Sequence, residues 1–186
     1  MASDFDVWSA AGDGYGCGAI LHRYVLGLYG FLERLNRRYP DLLIEGCSGG
    51  GGRFDAGMLY YAPQIWCSDN TDAVDRLFIQ YGTSFGYPVS AVGSHVSAVP
   101  NHQTGRITPM KTRGVAAMAG SFGYELDLSK ITEEETACVR RQIADFHKFW
   151  PLIHDGDYYR LSGPSRPDCQ RAVAAWEFVA QDRSEV

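Results

Sequence analysis

The sequence predicts an α/β fold: half of a (β/α)8 TIM barrel, its last four βα units, followed by short antiparallel β strands. Three observations predict it. Short apolar runs near residues 43, 65, 89 and 123 alternate with segments of helical spacing. Two of these runs, Leu42–Glu45 and Gln64–Trp66, stop abruptly in loops rich in Gly, Ser and Asp, as strands do at the carboxyl-terminal face of an α/β barrel. From Asp157 the pattern changes, and Tyr158-Tyr159-Arg160-Leu161 and Ala174–Ala180 read as antiparallel strands across the turn-rich Ser162–Asp168.

In order, residues 1–18 form a lead-in rich in Gly, Ala, Ser and Asp, with little periodicity, and flexibility is the expectation there. Its Gly12-Asp13-Gly14-Tyr15-Gly16-Cys17-Gly18 follows no strand and lacks a complete G-x-G-x-x-G, so it receives no site. Residues 19–156 are the barrel portion, and 157–186 open a further β domain. Leu21, Tyr24, Val25, Leu28, Phe31, Leu32 and Leu35 mark one face of a helix that Pro40 ends. Thr71 or Asp72 can cap a helix whose apolar face is Val74, Leu77, Phe78 and Tyr81. Tyr87–Val92 reads as a buried strand ending at Gly93-Ser94-His95, and a loop with Pro100, Gly105 and Pro109 leads to a short helix over Thr112–Ala119. Ser121–Leu126 is the last barrel strand. Thr132 with Glu135 forms a capping box for a helix that should stop at Trp150-Pro151.

The chain's 186 residues can bury a substantial core, although a complete barrel needs about 250. A net charge of −5 without a basic run argues against nucleic acid, and no apolar stretch has the length of a membrane span. The start MASDFDVW lacks the basic and apolar regions of a secretory leader. Five cysteines without C-x-x-C spacing favour free thiols, and hence a cytoplasmic setting, over a disulfide framework. The five histidines form no H-E-x-x-H pattern, so a metal site is not expected.

Chemistry concentrates in the two loops. The first is Cys47-Ser48 and four glycines, Gly49 to Gly52, then Arg53-Phe54-Asp55; the second is Cys67-Ser68-Asp69-Asn70-Thr71-Asp72. Glycines let a backbone approach a ligand closely, and an acid beside Trp66 suits a polar ligand with an apolar face, such as a sugar. A phosphate cradle would want a G-K-[ST] ending, which is absent. Asp69 lies three residues after Trp66; beside an aromatic wall a carboxyl loses hydration, which favours its neutral, proton-donating form. Read without further context, Asp69 serves equally well as a helix cap. Trp66 suits a wall against a sugar ring, and Ser48 and His95 are candidate contacts to the substrate. Ser48 has no histidine at a recognisable spacing to activate it, so a serine nucleophile is a weak reading. Arg53 is expected to pin the glycine loop, with Asp55 as a plausible partner, while Phe54, Tyr60 and Tyr61 read as core.

The run Glu45-Gly46-Cys47-Ser48-Gly49-Gly50-Gly51-Gly52-Arg53-Phe54-Asp55, followed by Trp66-Cys67-Ser68-Asp69-Asn70-Thr71-Asp72-Ala73, resembles the α-galactosidases of glycoside hydrolase family 36. The resemblance extends through His22-Arg23-Tyr24, Gly57-Met58-Leu59-Tyr60-Tyr61, Val92–Ser97, Val99–His102 and Gly123–Asp127, and covers Ala19 to Arg160. It implies a retaining α-galactosidase with Asp69 as general acid/base, Cys47 and Gly50 lining the galactose subsite near the 2-hydroxyl, and a β-sandwich domain after the barrel. It also implies a nucleophilic aspartate in a Lys-Trp-Asp motif that this chain lacks; the family's spacing puts it just upstream of Met1. Asp4, Asp6 and Asp13 are acids, but none follows an apolar strand with a lysine two residues before. The implied partners are an α-galactoside oligosaccharide of the melibiose or raffinose type and either a homo-oligomer or a complementing N-terminal half. Alternatives are a non-catalytic galactoside-binding or assembly remnant, a transglycosylase, and an α-N-acetylgalactosaminidase, the last disfavoured by the bulk of Cys47.

Overall fold

The computed structural model describes residues 17–164 and 173–186. The lead-in through residue 16, with Asp4, Asp6 and Asp13, and the turn-rich residues 165–172 lie outside the described residues. In order, the elements are helix α1 (Cys17–Arg38), strand β1 (Glu45–Gly46), a tight turn at Ser48–Gly51, α2 (Ala56–Tyr61) and β2 (Gln64–Ile65). There follow α3 (Ala73–Thr83), a 3-10 turn at Val89–Ala91, β3 (Gly93–Ser97), α4 (Met110–Met118) and β4 (Ser121–Glu125). A second 3-10 turn at Leu128–Lys130 leads to α5 (Glu133–Asp155) and a hairpin of β5 (Asp157–Ser162) and β6 (Ala175–Val179). Strands β1 and β2 pair in parallel, as do β3 and β4, and a parallel bridge from Ile65 to Val92 joins the two pairs. The hairpin is antiparallel, with Tyr158 opposite Phe178 and a register shift between Arg160 and Ser162.

Two apolar clusters hold the layers together. Leu32 of α1 packs on Met58, Ala62 and Ile65, with Leu28, Tyr29, Ile44 and Phe54 around them. Val96 of β3 packs on Met110, Ala117 and Val139, flanked by Phe122 and Tyr124. Burial of this kind supplies about 25 cal/mol for each Å² of apolar surface removed from water. Polar groups complete both contacts. Tyr29 donates to the Asp55 carboxylate at 3.0 Å, and that carboxylate caps α2 by accepting from Met58 N–H at 2.8 Å. Gln142 of α5 donates to the Met110 carbonyl at 3.0 Å and accepts from the Tyr124 hydroxyl at 2.7 Å.

Several boundaries differ from the sequence reading, each for a physical reason. The strand expected over Leu42–Glu45 is Glu45–Gly46, and Leu43 is 87% exposed, because no described strand pairs on its other side. Tyr87–Val92 is not a strand: Pro88 lacks the N–H a ladder needs, Val89–Ala91 closes a 3-10 turn, Val92 makes only the bridge to Ile65, and the ladder with β4 begins at Gly93. His95 therefore sits in the middle of β3 instead of beyond its end. Helix α5 keeps the expected capping box but runs through Pro151 to Asp155, where Ile153 is buried and Gly156 N–H reaches the Leu152 carbonyl at 2.9 Å. Tyr60, expected in the core, is 77% exposed.

The inner face of α3 departs most from expectation. Its buried residues are Ala73, Arg76 and Gln80, whereas Phe78 is exposed. Polar side chains face inward because they serve backbone groups stranded at the ends of other elements. Gln80 donates to the carbonyls of Ala116 and Ala119, at 2.8 and 3.0 Å, where α4 runs out of N–H partners.

Gly57 lies where α2 meets α1, and a Cβ there would come within 2.2 Å of the Tyr29 hydroxyl. Gly57→Ala should therefore push Tyr29 off Asp55 and lower stability by about 1–3 kcal/mol, as overpacking does. Thermal unfolding of Gly57→Ala and of Gly57→Ala/Tyr29→Phe checks this. The second variant should recover part of the loss, and no recovery would count against the clash as its cause.

Candidate functional site

The glycine loop forms one left-handed turn. Ser48, Gly49, Gly50 and Gly51 all have positive φ, at 57, 67, 76 and 94°, and Gly51 N–H closes onto the Cys47 carbonyl at 2.9 Å. A side chain pays for that conformation in steric strain, so glycine follows glycine. Lack of side chains also permits contact. A Cβ on Gly50 would lie 2.8 Å from the Asp69 backbone nitrogen and 3.2 Å from its carboxyl carbon, and one on Gly51 would lie 2.7 Å from the Cys67 carbonyl oxygen. Two loops far apart in sequence thus meet backbone to backbone. Arg53 anchors the turn as expected, but its partner is the Tyr24 hydroxyl of α1; Asp55 is engaged by Tyr29 and the cap of α2.

Every residue around Asp69 is tied down. Ser68 Oγ accepts from Asn70 N–H at 3.1 Å, and the Ser68 carbonyl accepts from Arg76 at 3.2 Å. Asn70 donates to the Asp75 carboxylate at 2.9 Å and accepts from Asp72 N–H at 3.0 Å. Thr71 accepts from Asn101 at 3.0 Å. Asp72, only 1% exposed, is the N-cap of α3: Oδ1 accepts from Val74 and Asp75 N–H at 3.0 Å each and from Arg106, and Oδ2 accepts from Thr104 at 2.9 Å. Capping thus falls to Asp72 and not to Asp69. Asp69 itself is exposed and, among the described residues, its carboxyl has no hydrogen-bond partner. The loss of hydration expected beside Trp66 is not supplied by the described residues.

Trp66 follows β2 directly. One face stacks on His95, with ring centroids 4.6 Å apart and planes 22° from parallel, and the Arg76 guanidinium lies 4.6 Å from its ring centre. Gly93 makes room, since a Cβ there would sit 3.0 Å from Trp66 Cε3. His95 Nδ1 is 3.6 Å from Glu125 Oε2, an ion-pair distance if the imidazole is protonated but too long for a hydrogen bond, so that nitrogen is buried without one. Arg76, 2% exposed, donates to the carbonyls of Ser68 and Gly93 and to Gln80 Oε1. Burial lowers its pKa from the usual arginine value, and the neighbouring Cys67 side chain opposes that fall.

The structure brings Gly50 and Asp69 together and stacks Trp66 on His95. Cys47, one residue before the left-handed turn, is exposed, and Ser48 within the turn is half-buried. Sequence reasoning missed Arg76, Arg106 and Glu125. For Arg76 the signal was the spacing Ala73, Arg76, Gln80, one helical face that mixes a cation with an amide. Among the described residues no group of His, Cys, Asp and Glu could hold a metal ion, and no helix is long and apolar enough to cross a membrane.

Comparison with known proteins decides the family. The family profile named Melibiase matches residues 9–156. The chain belongs to the melibiase family. It is 61% identical over 166 residues to the bifunctional α-galactosidase/sucrose kinase AgaSK of Mediterraneibacter gnavus, covering 89% of this chain and 17% of that protein. It is 57% identical over 164 residues to the α-galactosidase AgaA of Geobacillus stearothermophilus, covering 88% of this chain and 22% of that protein. Among solved structures, the galactosidase domain of AgaSK superposes with a TM-score of 0.83 at 62% identity, over 89% of this chain and 22% of that one. A GH36 AgaA variant in complex with raffinose gives 0.82 at 56% identity, over 87% and 22%. This melibiase-family chain therefore spans about a fifth of the length of the relatives it matches.

One prediction follows from the Asp72 network. Burial works to raise the Asp72 carboxyl, but the N–H of Asp75, the Thr104 hydroxyl, the Arg106 charge and the N–H of Val74 together outweigh it and hold the pKa below the ordinary carboxylate value. A depressed folded-state pKa contributes stability that is fully present above the unfolded value of about 3.9 and is lost as pH falls through the folded one. Asp72→Asn should lower Tm at neutral pH yet lose less further stability than the parent between about pH 5 and pH 2. Unfolding curves across that range check it; parallel losses in the two proteins would refute the linkage.

Proposed function

We propose that this chain is the segment of a retaining α-galactosidase that carries the general acid/base, Asp69, and part of the galactose subsite. The nucleophile lies outside the described residues. The observation that carries the reading is the contrast at the second loop: Ser68, Asn70, Thr71 and Asp72 are fixed by hydrogen bonds, while the Asp69 carboxyl is left unengaged against the Gly50 turn at the end of a strand. Family membership and the raffinose complex of a relative support the substrate class, α-linked galactose at the end of an oligosaccharide.

In this reading Asp69, in its neutral form, gives its proton to the glycosidic oxygen as that bond breaks, and a second carboxylate about 5–5.5 Å away takes the anomeric carbon. Asp69, now charged, then removes a proton from the water that hydrolyses the galactosyl-enzyme. Bound sugar and the rest of the barrel provide the desolvation that the described residues do not. Gly50 lets the sugar's ring hydroxyls approach the turn, Cys47 and Ser48 offer small polar side chains at its edge, and Trp66, steadied by His95 on one face, walls the ring. The four parallel strands are the last four of the eight, and the hairpin of β5 and β6 begins a β domain beyond the barrel. No cofactor takes part.

Asp69→Asn tests the assignment in a full-length α-galactosidase carrying this segment. Turnover of raffinose, whose leaving group needs protonation, should fall about 10²–10⁴-fold, and an activated aryl galactoside should lose far less in the glycosylation step. Equal losses on both substrates, with no rescue by azide, would remove Asp69 from the role.

The segment alone should show no galactosidase activity, because proton donation without a nucleophile leaves the covalent step unsupported. The open edge at β1, with Leu42 and Leu43 exposed, should favour association with a complementing half. Mixing the segment with the upstream half of a family member should restore turnover. Robust turnover by the segment alone, abolished by replacing Asp4, Asp6 or Asp13, would place the nucleophile in the lead-in and refute the division of labour.

A further inference from the structure

We propose that Arg106 is a positioning residue for the proton donor, holding Asp69 in place through the buried carboxylate of Asp72. The inference rests on the acid/base reading of Asp69 and deepens it. The carboxylate oxygens of Asp72 are shared between its own helix and a different loop. Two bonds come from the first turn of α3, and the others come from Thr104 and Arg106, more than thirty residues on. Arg106 Nη1 also reaches Asp75 Oδ1 at 3.2 Å, and Asp75 Oδ2 in turn accepts from Asn70, the residue after Asp69. One guanidinium nitrogen therefore touches both carboxylates that fix the loop on the carboxyl side of Asp69.

The loop bearing Arg106 is built to hold it still. Asn101, 5% exposed, accepts through Oδ1 from Gln103 and Thr104 N–H at 3.0 Å each. Asn101 N–H donates to the Arg106 carbonyl at 2.9 Å, and Gly105, at φ 70°, closes onto the Asn101 carbonyl at 2.8 Å. Asn101 also donates to Thr71, so the same loop grips the Asp69 segment at two points. On the other flank, Arg76 holds the Ser68 carbonyl from below. Between these anchors, the Asp69 carboxyl has no hydrogen-bond partner among the described residues.

An exposed ion pair would count for little, but the acceptor here is buried and its carboxylate accepts three further bonds, so the pair acts on position more than on net stability. A displacement of about 1 Å at a reacting group costs about 10²-fold in rate. Loss of Arg106 should therefore resemble loss of the acid, selectively for substrates that need a proton.

The experiment compares Arg106→Ala, Arg106→Lys, Asp69→Asn and the Arg106→Ala/Asp69→Asn double variant in a full-length α-galactosidase carrying this segment, on raffinose and on a nitrophenyl galactoside. Arg106→Ala should lower kcat on raffinose about 10²-fold, with KM little changed, and spare the aryl substrate to within about tenfold. Arg106→Lys, whose ammonium can bridge the same two carboxylates, should recover most of the loss. The double variant should be no slower on raffinose than Asp69→Asn alone, because both changes act through one proton. If Arg106→Ala does not fold, Thr104→Val, which removes one bond on Asp72, should show the same leaving-group selectivity at smaller size. Equal losses on both substrates, or multiplying losses in the double variant, would overturn the proposal while leaving Asp69 in its role. Absence of leaving-group selectivity in Asp69→Asn itself would overturn the acid/base reading and this proposal with it.

Discussion

A single buried guanidinium organises the centre of this chain. Taking an arginine out of water costs several kcal/mol, and Arg76 is buried beside the candidate site with no ion-pair carboxylate among the described residues. The cost is met by carbonyl groups that themselves need donors: Ser68 after β2, Gly93 at the start of β3, and the amide oxygen of Gln80 one helical turn away. The face of Trp66 covers the remaining surface. Helix α3 is thereby locked to two strands, and the loop between β2 and α3 has its first anchor.

The second constraint is steric. A run of four glycines is entropically costly to order on folding, and it persists where folded backbone must come within contact of other backbone. Gly50 and Gly51 satisfy that condition against Asp69 and Cys67. Their turn carries no regular ladder of its own; it is fixed by Arg53 on Tyr24 and by the packing of α1 on α2. Helix α1 therefore shapes a site it does not enter. Rigidity in this region comes from polar bonds to backbone, and apolar burial is concentrated in the layers behind.

Family membership puts these features in a shared frame with α-galactosidases, and the coverage sets their scale: the chain's matched residues make up 17% and 22% of two such relatives. Within the described residues, Asp69, Cys47, Leu42 and Leu43 are exposed.

Much was legible in the residues themselves. Helical spacing from Leu21 to Leu35, the Thr132–Glu135 capping box, the parallel strand at Ser121 and the hairpin after Asp157 all rest on local rules of periodicity and capping, which need no knowledge of neighbours. The two loops announced themselves because glycine runs and acids after an apolar strand are rare without a reason. What the sequence could not decide was which polar side chains turn inward. Local sequence offers only the shared helical face of Arg76 and Gln80 with Ala73; their burial depends on carbonyls near β2, β3 and α4 that arrive only on folding. The strand that began at Gly93 and not at Tyr87 was likewise decided by pairing with β4. Asp72, which the sequence already offered as the cap of α3, takes its local bonds from Val74 and Asp75 N–H, but the Thr104 and Arg106 bonds that complete its shell come from a distant loop. By itself the sequence determined the elements, the two loops and the family; only tertiary contact decided which polar side chains turned inward and which distant groups closed on Asp72, because their partners lie in elements far apart in the chain.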